Sequence, residues 1–412
     1  MGFMFNLEKI FKGKCFSLIG VFFVVACLLS QVANAQGYNA GVVSVDRGVA
    51  KAPIYRIAIE SDSPDLKAWA KTAFAVHGSY EVMPKDTQFV FRFTNVGFNA
   101  ISLSITGSGS FEQVVYGDST YDALLKACDL AVTKTLGSVG FFAGKIAFSS
   151  DKTSNKEIYI GDLFFSKVRQ FTNDKSSSIL PHWSADGNKL FYTGYFRSGF
   201  MDLYECDLVN KTRRIFANYR GTNTGGAPSP DGSRVAMILT STGNAEIWTA
   251  STNKTDFKRI TRTAAVESSV SFSPDGRNLV FSSDERGGPQ IYVMPVNGGK
   301  AQRIPTNISG YCSEPTINPI FPTQIAFTAA VSASFQVAVY DAKTGKSRFV
   351  TTGNFRATQP KWCSDGRHII FTKEIGKMTS ICIVDSITGK QRALHSKALG
   401  NCTGATFFYP YK

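Results

Sequence analysis

Residues 271–299 read SFSPDGRNLVFSSDERGGPQIYVMPVNGG and contain a turn between two apolar runs, then a second turn and a third run. The Pro-Asp-Gly turn at 274–276 stands before Leu279-Val280-Phe281, and Ile291-Tyr292 follows the next turn. Asp-Gly and Asn-Gly pairs supply the positive φ angles that tight hairpins need. The segment therefore predicts short antiparallel strands joined by tight turns.

The same pattern recurs along the chain at a fixed spacing. Asp-Gly turns have their aspartates at positions separated by 45, 44 and 90 residues, and a degenerate copy, TINPIFPTQIAF, lies in the longest gap. The aspartates are Asp186, Asp231, Asp275 and Asp365. The apolar run after the turn occurs six times, beginning at Ile146, Leu190, Val235, Leu279, Ile325 and Ile369. A third run keeps the same spacing and begins at Ile158, Leu203, Ile247, Ile291, Val337 and Ile381, so two registers predict six repeating units.

Each unit contains four short runs typical of β-strands, and the last run is polar and basic, as suits an outer strand. Six four-stranded units of about 44 residues predict a six-bladed β-propeller. The first unit lacks an innermost strand, and residues 404–410, GATFFYP, repeat that strand. We expect a propeller over residues 139–412 that is closed by the C-terminal strand, with structural turn aspartates.

The region before the propeller has a different pattern. Residues 54–138 alternate strand-like runs with two helical segments, one capped by Ser63 and stopped by Gly78, the other capped by Ser119 or Thr120 and ended at Gly137. The predicted fold is an all-β six-bladed propeller preceded by a small α/β domain. Residues 36–53 have no helical period, and we interpret them as an extended arm.

The first residues predict export. Three lysines precede an apolar stretch from Phe16 to Leu29, and small residues follow at 33–35, which favours a signal peptide over residues 1–35. A lipobox-like Val-Val-Ala-Cys ending at Cys27 and an uncleaved anchor are the alternatives. The net charge is +14, and +12 without residues 1–35. The basic residues are scattered singly, so together with export they argue against a nucleic-acid partner.

Chemistry-bearing motifs are scarce. By pattern the four histidines fall in a helix, an inner strand, a turn and an outer strand, without HExxH or HxH spacing; they are His77, His182, His368 and His395. No GxSxG or CxxC motif occurs, and the segment ending in Gly144-Lys145 fails the phosphate-loop pattern. We therefore expect no enzyme activity, no cofactor and no metal site. Six cysteines follow residue 35, and their pairing stays open, including a disulfide between Cys312 and Cys402.

The whole arrangement resembles one family. An export signal, an arm ending in Pro53, an α/β domain leading through KTLGSVGFFAGKIAF into the first blade, and turns reading WSADG, PSPDG and FSPDG are similar to the TolB family, the periplasmic component of the Tol-Pal system. The resemblance implies a monomeric, non-enzymatic periplasmic scaffold that supports outer-membrane integrity and cell division and associates with the envelope through its partners. Its propeller would bind the peptidoglycan-associated lipoprotein Pal, and its arm would engage TolA.

The resemblance also places partner-binding residues. Those of the propeller mouth and its rim are Thr224, Gly225, Glu267, Ser269, Glu314, Gln359, Arg197 and Arg286. Those of the arm are Val42, Val43, Val45, Asp46 and Arg47. Two other functions stay open: a periplasmic propeller that binds a small ligand or peptide, and an accessory propeller of a hydrolase. Ligand-induced stabilisation in a thermal melt would favour the first, and turnover of an ester, peptide or glycan the second.

Overall fold

A computed structural model of the chain describes residues 53–411 with the exception of Ser198 and Ser396. Its first part, called the N-terminal domain below, is a five-stranded sheet of order β2-β1-β3-β4-β5 with two helices. β1 pairs in parallel with β2 and β3, and the other pairs are antiparallel. The elements are β1 Tyr55–Ser61, α1 Pro64–Val76, β2 Tyr80–Val82, β3 Phe89–Gly97, β4 Ala100–Thr106, β5 Ser110–Tyr116 and α2 Thr120–Leu136.

Both helices begin at serine caps. The Ser63 side chain accepts a hydrogen bond from Leu66 N, and the Ser119 side chain accepts one from Asp122 N. Such caps satisfy backbone N–H groups that have no partner within the helix. α2 ends at Gly137 with a φ of 70°, as the sequence predicted, whereas α1 already ends at Val76. Sequence reasoning missed the short strand β2 and the edge strand β5.

The second part is a six-bladed propeller of four-stranded antiparallel sheets, which confirms the predicted fold. The strands of each blade are named in order from the innermost strand outward. The blades are: blade 1, β29 Cys402–Phe408, β6 Lys145–Thr153, β7 Asn155–Asp162 and β8 Val168–Gln170; blade 2, β9 Ser178–Trp183, β10 Lys189–Gly194, β11 Asp202–Asp207 and β12 Thr212–Ala217; blade 3, β13 Asn223–Pro228, β14 Arg234–Leu239, β15 Glu246–Ser251 and β16 Lys258–Arg259.

The remaining three blades have the same order. They are: blade 4, β17 Glu267–Phe272, β18 Asn278–Ser283, β19 Gln290–Pro295 and β20 Gln302–Arg303; blade 5, β21 Cys312–Ile317, β22 Gln324–Val331, β23 Ser334–Asp341 and β24 Lys346–Phe349; blade 6, β25 Arg356–Trp362, β26 His368–Ile375, β27 Met378–Asp385 and β28 Gln391–Ala393. A short 3-10 helix, Lys397–Leu399, lies between β28 and β29.

The C-terminal strand closes the ring. β29 pairs antiparallel with β6 from Cys402 opposite Ser150 to Phe408 opposite Lys145, so the first blade takes its innermost strand from the end of the described chain. This pairing confirms the expected closure. Blade 1 thereby has the same four strands as the other blades, and one sheet contains both the first and the last strand of the propeller.

Three turn aspartates stabilise the turns in which they lie. In each turn the carboxylate accepts a hydrogen bond from the serine two residues earlier, as in Ser273 Oγ to Asp275 Oδ1 at 2.5 Å, and from the backbone N–H two residues later. Asp186 and Asp231 repeat the arrangement. Blade 5, which has no Asp-Gly, uses Asn318 Oδ1 to accept from the N–H groups of Ile320 and Phe321. These contacts support a structural role for the turn residues.

The N-terminal domain packs on one end of the propeller. We call the end that carries the Asp-Gly turns the turn end, and the end where the innermost strands begin the open end. Gly78 N donates to Asp385 Oδ2, and Tyr409 Oη donates to Asp129 Oδ2, both at the turn end. One continuous apolar core contains Phe74 of α1 together with Ile370 of blade 6. The open end therefore faces away from the contacts between the domains.

Candidate functional site

The innermost strand of every blade is interrupted near the open end. In each pairing of innermost and second strand the register shifts, which marks a β-bulge. Every bulge contains one residue with φ between 54° and 79°. We call these six residues the bulge ring: Leu180, Gly225, Ser269, Glu314, Gln359 and Gly404. Bulges re-aim side chains at functional rims, so the ring is our candidate site.

The ring contains backbone strain. A non-glycine residue in the left-handed region costs roughly 1–2 kcal/mol, and only two of the six positions are glycine. Hydrogen bonds to the preceding blade hold some of these positions. Glu314 N donates to Ser282 Oγ at 3.1 Å, and Gly404 N donates to Thr372 Oγ1 at 3.0 Å. The neighbouring blade thus fixes a conformation that the isolated strand would avoid.

Glu314 and Gln359 are linked across blades 5 and 6. Glu314 Oε2 accepts hydrogen bonds from Gln359 N at 2.7 Å and from Thr328 Oγ1 at 2.6 Å. Thr372 Oγ1 donates to Gln359 Oε1 at 2.9 Å. Two side chains of the ring are therefore held in place before any partner binds, and Glu314 still has a second carboxylate oxygen without a hydrogen bond among the described residues.

Two titratable side chains stand two residues beyond the ring. Burial, with the nearby charge of Lys361, lowers the pKa of His182 to about 3, so this imidazole is neutral. Burial also lowers the pKa of Lys361, and the Glu314 carboxylate opposes that effect. A minor part of each residue still reaches solvent, although most of each is shielded. Because His182 and Lys361 belong to blades 2 and 6, which are not neighbours in the ring, their interaction runs through the central channel.

The structure brings most residues of the proposed mouth together. Gly225, Ser269, Glu314 and Gln359 are members of the bulge ring, and Thr224 precedes it, sharing a 2.9 Å hydrogen bond with Thr193. Arg197 and Arg286 are exposed in loops of the open end. The bulges themselves were not predicted, although the glycines at 225 and 404 are a sequence signal for positive φ. The arm residues Val42 to Arg47 lie outside the described residues.

Glu267 requires a correction. Its side chain is buried, with a relative exposure of 1%, and its carboxylate accepts hydrogen bonds from Thr261 Oγ1 and Thr263 Oγ1. Burial also raises its pKa, against those hydrogen bonds. The prediction that Glu267 contacts a partner was therefore wrong. As the first residue of β17 it lies before the bulge, and its equivalents in the other blades are likewise buried.

A second cluster of titratable side chains lies at the turn end. The sequence had predicted its histidines to be isolated from one another. His77, Asp365 and His368 are buried with ligand atoms within 4.8 Å of one another. His368 was expected in a turn, but it begins β26, with Nδ1 2.5 Å from Asp365 Oδ2 and Nε2 3.5 Å from Asp385 Oδ2. Burial disfavours its charge, but the two carboxylates outweigh burial and raise the pKa of His368 to about 9.

This cluster does not fit a metal ion. His77 Nδ1 accepts a hydrogen bond from Ser79 N at 3.1 Å, and burial lowers the pKa of His77 well below its usual value. A neutral imidazole that accepts at Nδ1 carries its proton on Nε2, which leaves no lone pair for a metal. Arg367 also lies against Asp385, with its Nη2 2.7 Å from Oδ2. The arrangement is a charged joint between the two domains, called the domain joint below.

Two further expectations concern the cysteines and the membrane. The six cysteines of the described part are free and buried, so the disulfide considered between Cys312 and Cys402 is not formed.

His395 Nε2 accepts a hydrogen bond from Ile381 N, which gives this histidine a structural contact. Neither helix of the described ranges combines the length and the apolar composition that a bilayer crossing requires.

Comparison with known proteins identifies the family. A family model described as the TolB β-propeller domain matches residues 132–406. The Tol-Pal system proteins TolB of Bordetella pertussis and Bordetella parapertussis are each 32% identical to this chain over 174 residues. The matched segment is 42% of this chain and 40% and 39% of the two relatives, so the chain spans about two fifths of their length. TolB from Acinetobacter baumannii superposes with a TM-score of 0.78 at 19% identity, covering 87% of this chain and 98% of that one. The chain belongs to the TolB β-propeller family.

Proposed function

We propose that the chain is a non-enzymatic periplasmic component of a Tol-Pal system, and that its open end binds a Pal-like peptidoglycan-associated lipoprotein. Membership of the TolB β-propeller family supports a role in a Tol-Pal system, and the Bordetella relatives are named as Tol-Pal system proteins. The observation that carries the proposal is the bulge ring at the open end, opposite the end that the N-terminal domain covers.

The bulge ring is ordered before any partner binds. Association loses less free energy when side chains and loops are already ordered, so a rigid concave ring suits a docking site. The Glu314 carboxylate accepts from Gln359 N of the neighbouring blade, and the Gln359 side chain accepts from Thr372 of its own blade, so both are fixed before a partner arrives. Proteins often place binding loops on such rigid scaffolds. The bulge ring supplies this order around the mouth of the channel.

The arm completes the proposal. We assign residues 36–53, including Val42, Val43, Val45, Asp46 and Arg47, to TolA binding, as the family resemblance implies. The arm joins β1 at Tyr55, whose N–H donates to Ser79 O beside the domain joint. The attachment point of the arm is therefore on the side of the molecule opposite the open end. Two partners could then bind one monomer without competing for the same surface.

Binding measurements with the Pal-like lipoprotein from the same genome test the proposal. We expect the chain without residues 1–35, called the exported chain below, to capture the acyl-free lipoprotein. An E314A/Q359A variant should bind the lipoprotein at least about tenfold more weakly, which is a loss of about 1.4 kcal/mol in binding free energy. A matched D275A/R277A variant, changed at the turn end, should bind as the unmodified protein does. Correctly folded protein that captures no lipoprotein would overturn the proposal.

Deleting residues 36–53 tests the proposal that the arm binds TolA. The deletion should abolish capture of TolA and leave capture of the lipoprotein unchanged, because the arm and the open end are separate. A deletion variant that keeps TolA affinity would remove the arm from the proposal. Thermal unfolding of the variant serves as the control for a correctly folded propeller.

A further inference from the structure

The loops of the open end are rich in exposed positive charge. Seven cations are exposed in the loops that connect blades or join second to third strands, and two more flank the turn between β6 and β7. We call the nine residues the basic rim: Lys152, Lys156, Lys175, Arg197, Arg220, Arg262, Arg286, Lys377 and Lys397. Among the described residues of these loops Glu285 is the one exposed carboxylate, and no ion pair joins a rim cation to another described residue.

The turn end is balanced differently. Its loops expose six cations, of which Arg277, Lys300 and Lys343 are examples, but also four carboxylates: Asp186, Asp231, Asp256 and Asp275. In addition, Asp256 pairs with Arg234, and Asp385 pairs with Arg367. Positive charge is therefore largely compensated at the turn end and left uncompensated at the open end.

The basic rim is also uneven around the ring. Its members come from blades 1, 2, 4 and 6 and from the connections into blades 2, 3, 4 and 1, whereas the described loops of blade 5 contribute none. At that sector a surface pocket of about 740 Å³ lies between blades 5 and 6, lined partly by Phe355 and Ile375. Ile375 and Met378 are about half exposed there. We call Phe355, Ile375 and Met378 the apolar sector. The rim cation Lys377 lies between Ile375 and Met378 in the sequence, so a partner would meet this apolar sector at the edge of the positive arc.

Such charges have little value for folding. Exposed charges contribute at most small amounts to stability, and an arc of like charges repels itself. Their field, in contrast, attracts an oppositely charged surface and raises its rate of association. An acidic protein face would relieve the repulsion and bury its carboxylates against donors that have no ion-pair partner among residues 53–411 as described.

We infer that the basic rim is the docking surface for an acidic face of the lipoprotein partner, and that the apolar sector at blades 5 and 6 fixes the orientation of that face. The inference rests on the proposed function, because it names the chemistry of the same interface. It makes the first encounter between the two proteins electrostatic. Lipid head groups would offer the same negative charge, and the experiment separates the two.

The association rate of the exported chain with the acyl-free Pal-like lipoprotein is measured at low and high salt by stopped flow. Raising the salt from about 0.05 M to about 0.5 M shortens the screening length severalfold, and we expect association to slow by about tenfold or more. The variant R197E/R286E/K377E should be slowed by a similar factor at low salt. The variant R277E/K300E/K343E has the same change in net charge at the turn end, and its rate should stay within about twofold.

The outcomes separate the inference from the proposed function. Absence of binding at low salt would overturn both. The inference would be overturned, and the proposed function kept, by either of two results. In the first, the association rate changes neither with salt nor in the rim variant; in the second, association slows equally in the rim variant and in the turn-end variant. A rim variant that loses adsorption to phosphatidylglycerol vesicles but associates normally with the lipoprotein would also overturn it. The altered residues are exposed and unpaired, so unchanged thermal unfolding confirms that each variant folds.

Discussion

The two ends of the propeller use charge in opposite ways. At the turn end, Asp385 is fully buried and receives hydrogen bonds from Arg367 and from the N–H of Gly78, while His368 lies between it and Asp365. At the open end, nine cations stand in water without ion-pair partners among the described residues. The first set joins two domains, and the second leaves its charges available to another molecule.

The difference shows that the buried, paired charges hold the two domains together, whereas the exposed cations make no ion pair with the described residues. Removing one partner of a buried pair leaves an uncompensated charge, which is expensive. Removing one exposed charge changes the free energy of unfolding very little. The contrast between Asp385 and the rim cations can therefore be tested by stability measurements alone.

The largest effect is expected at the domain joint. Asp385→Ala leaves the buried His368 and the partly buried Arg367 without their shared carboxylate, and we expect a loss of about 3–5 kcal/mol in the free energy of unfolding. Urea denaturation followed by tryptophan fluorescence measures the loss. Glu285→Ala, which removes the exposed carboxylate of the open end, is the control and should change the free energy by less than about 0.5 kcal/mol. Equal effects of both substitutions would contradict the comparison.

The pH dependence of stability comes next in size. The pKa of His368 is raised to about 9 in the folded protein, so its stabilising charge is fully present below about 6.5, the unfolded value, and is lost as the pH rises through 9. We expect a loss of roughly 3 kcal/mol across that window. Other groups titrate there too, so the measurement is the difference between the unmodified protein and His368→Gln in urea denaturation from pH 6 to 9.5. A flat difference would remove the charged histidine from the joint.

A smaller effect of opposite sign is expected in the bulge ring. Ser269 has a φ of 54° and is exposed, so Ser269→Gly should relieve left-handed strain and raise the free energy of unfolding by about 1 kcal/mol. Ser268→Gly, at the preceding strand residue without positive φ, should instead lower it by about 0.5–1 kcal/mol. Chemical denaturation of both variants checks the signs. A loss at both positions would show that the bulge is not strained.

The smallest effect is expected at the basic rim. Arg286→Ala and Lys377→Ala should each leave the free energy of unfolding within about 0.5 kcal/mol, because both side chains are exposed and neither pairs with a carboxylate in the described part of the chain. Differential scanning calorimetry gives the comparison, with Asp385→Ala as the sensitive reference. A rim substitution that destabilises as strongly as that reference would mean that these cations do have a structural role.

Much of the fold was predictable from the sequence. The six repeats, the basic outer strands and the strand that closes blade 1 all follow from spacing and turn chemistry, because each blade repeats one local pattern. Both helix starts followed from Ser63 and Ser119. Local patterns of this kind need no knowledge of distant contacts.

The site was less predictable because its geometry is not local. Spacing located the starts of the innermost strands, but Glu267 is buried and Ser269, two residues later, is exposed because Ser269 lies in a bulge. The domain joint was missed because His77 and His368 come from distant segments, and their ring centroids lie only 4.7 Å apart. Exposure of the basic rim likewise required the positions of all six blades.

The pairing of β29 with β6 has a consequence for how the protein is made. Strand β6 leaves one edge of its sheet unsatisfied until a segment about 250 residues later has been synthesised and delivered beside it. Such a long-range contact is slow to form, and an unpaired edge can recruit strands from other molecules in the meantime. Blade 1 is therefore the part of the ring that cannot be completed before the last strand arrives, and the edge of β6 stays open to wrong pairing until then.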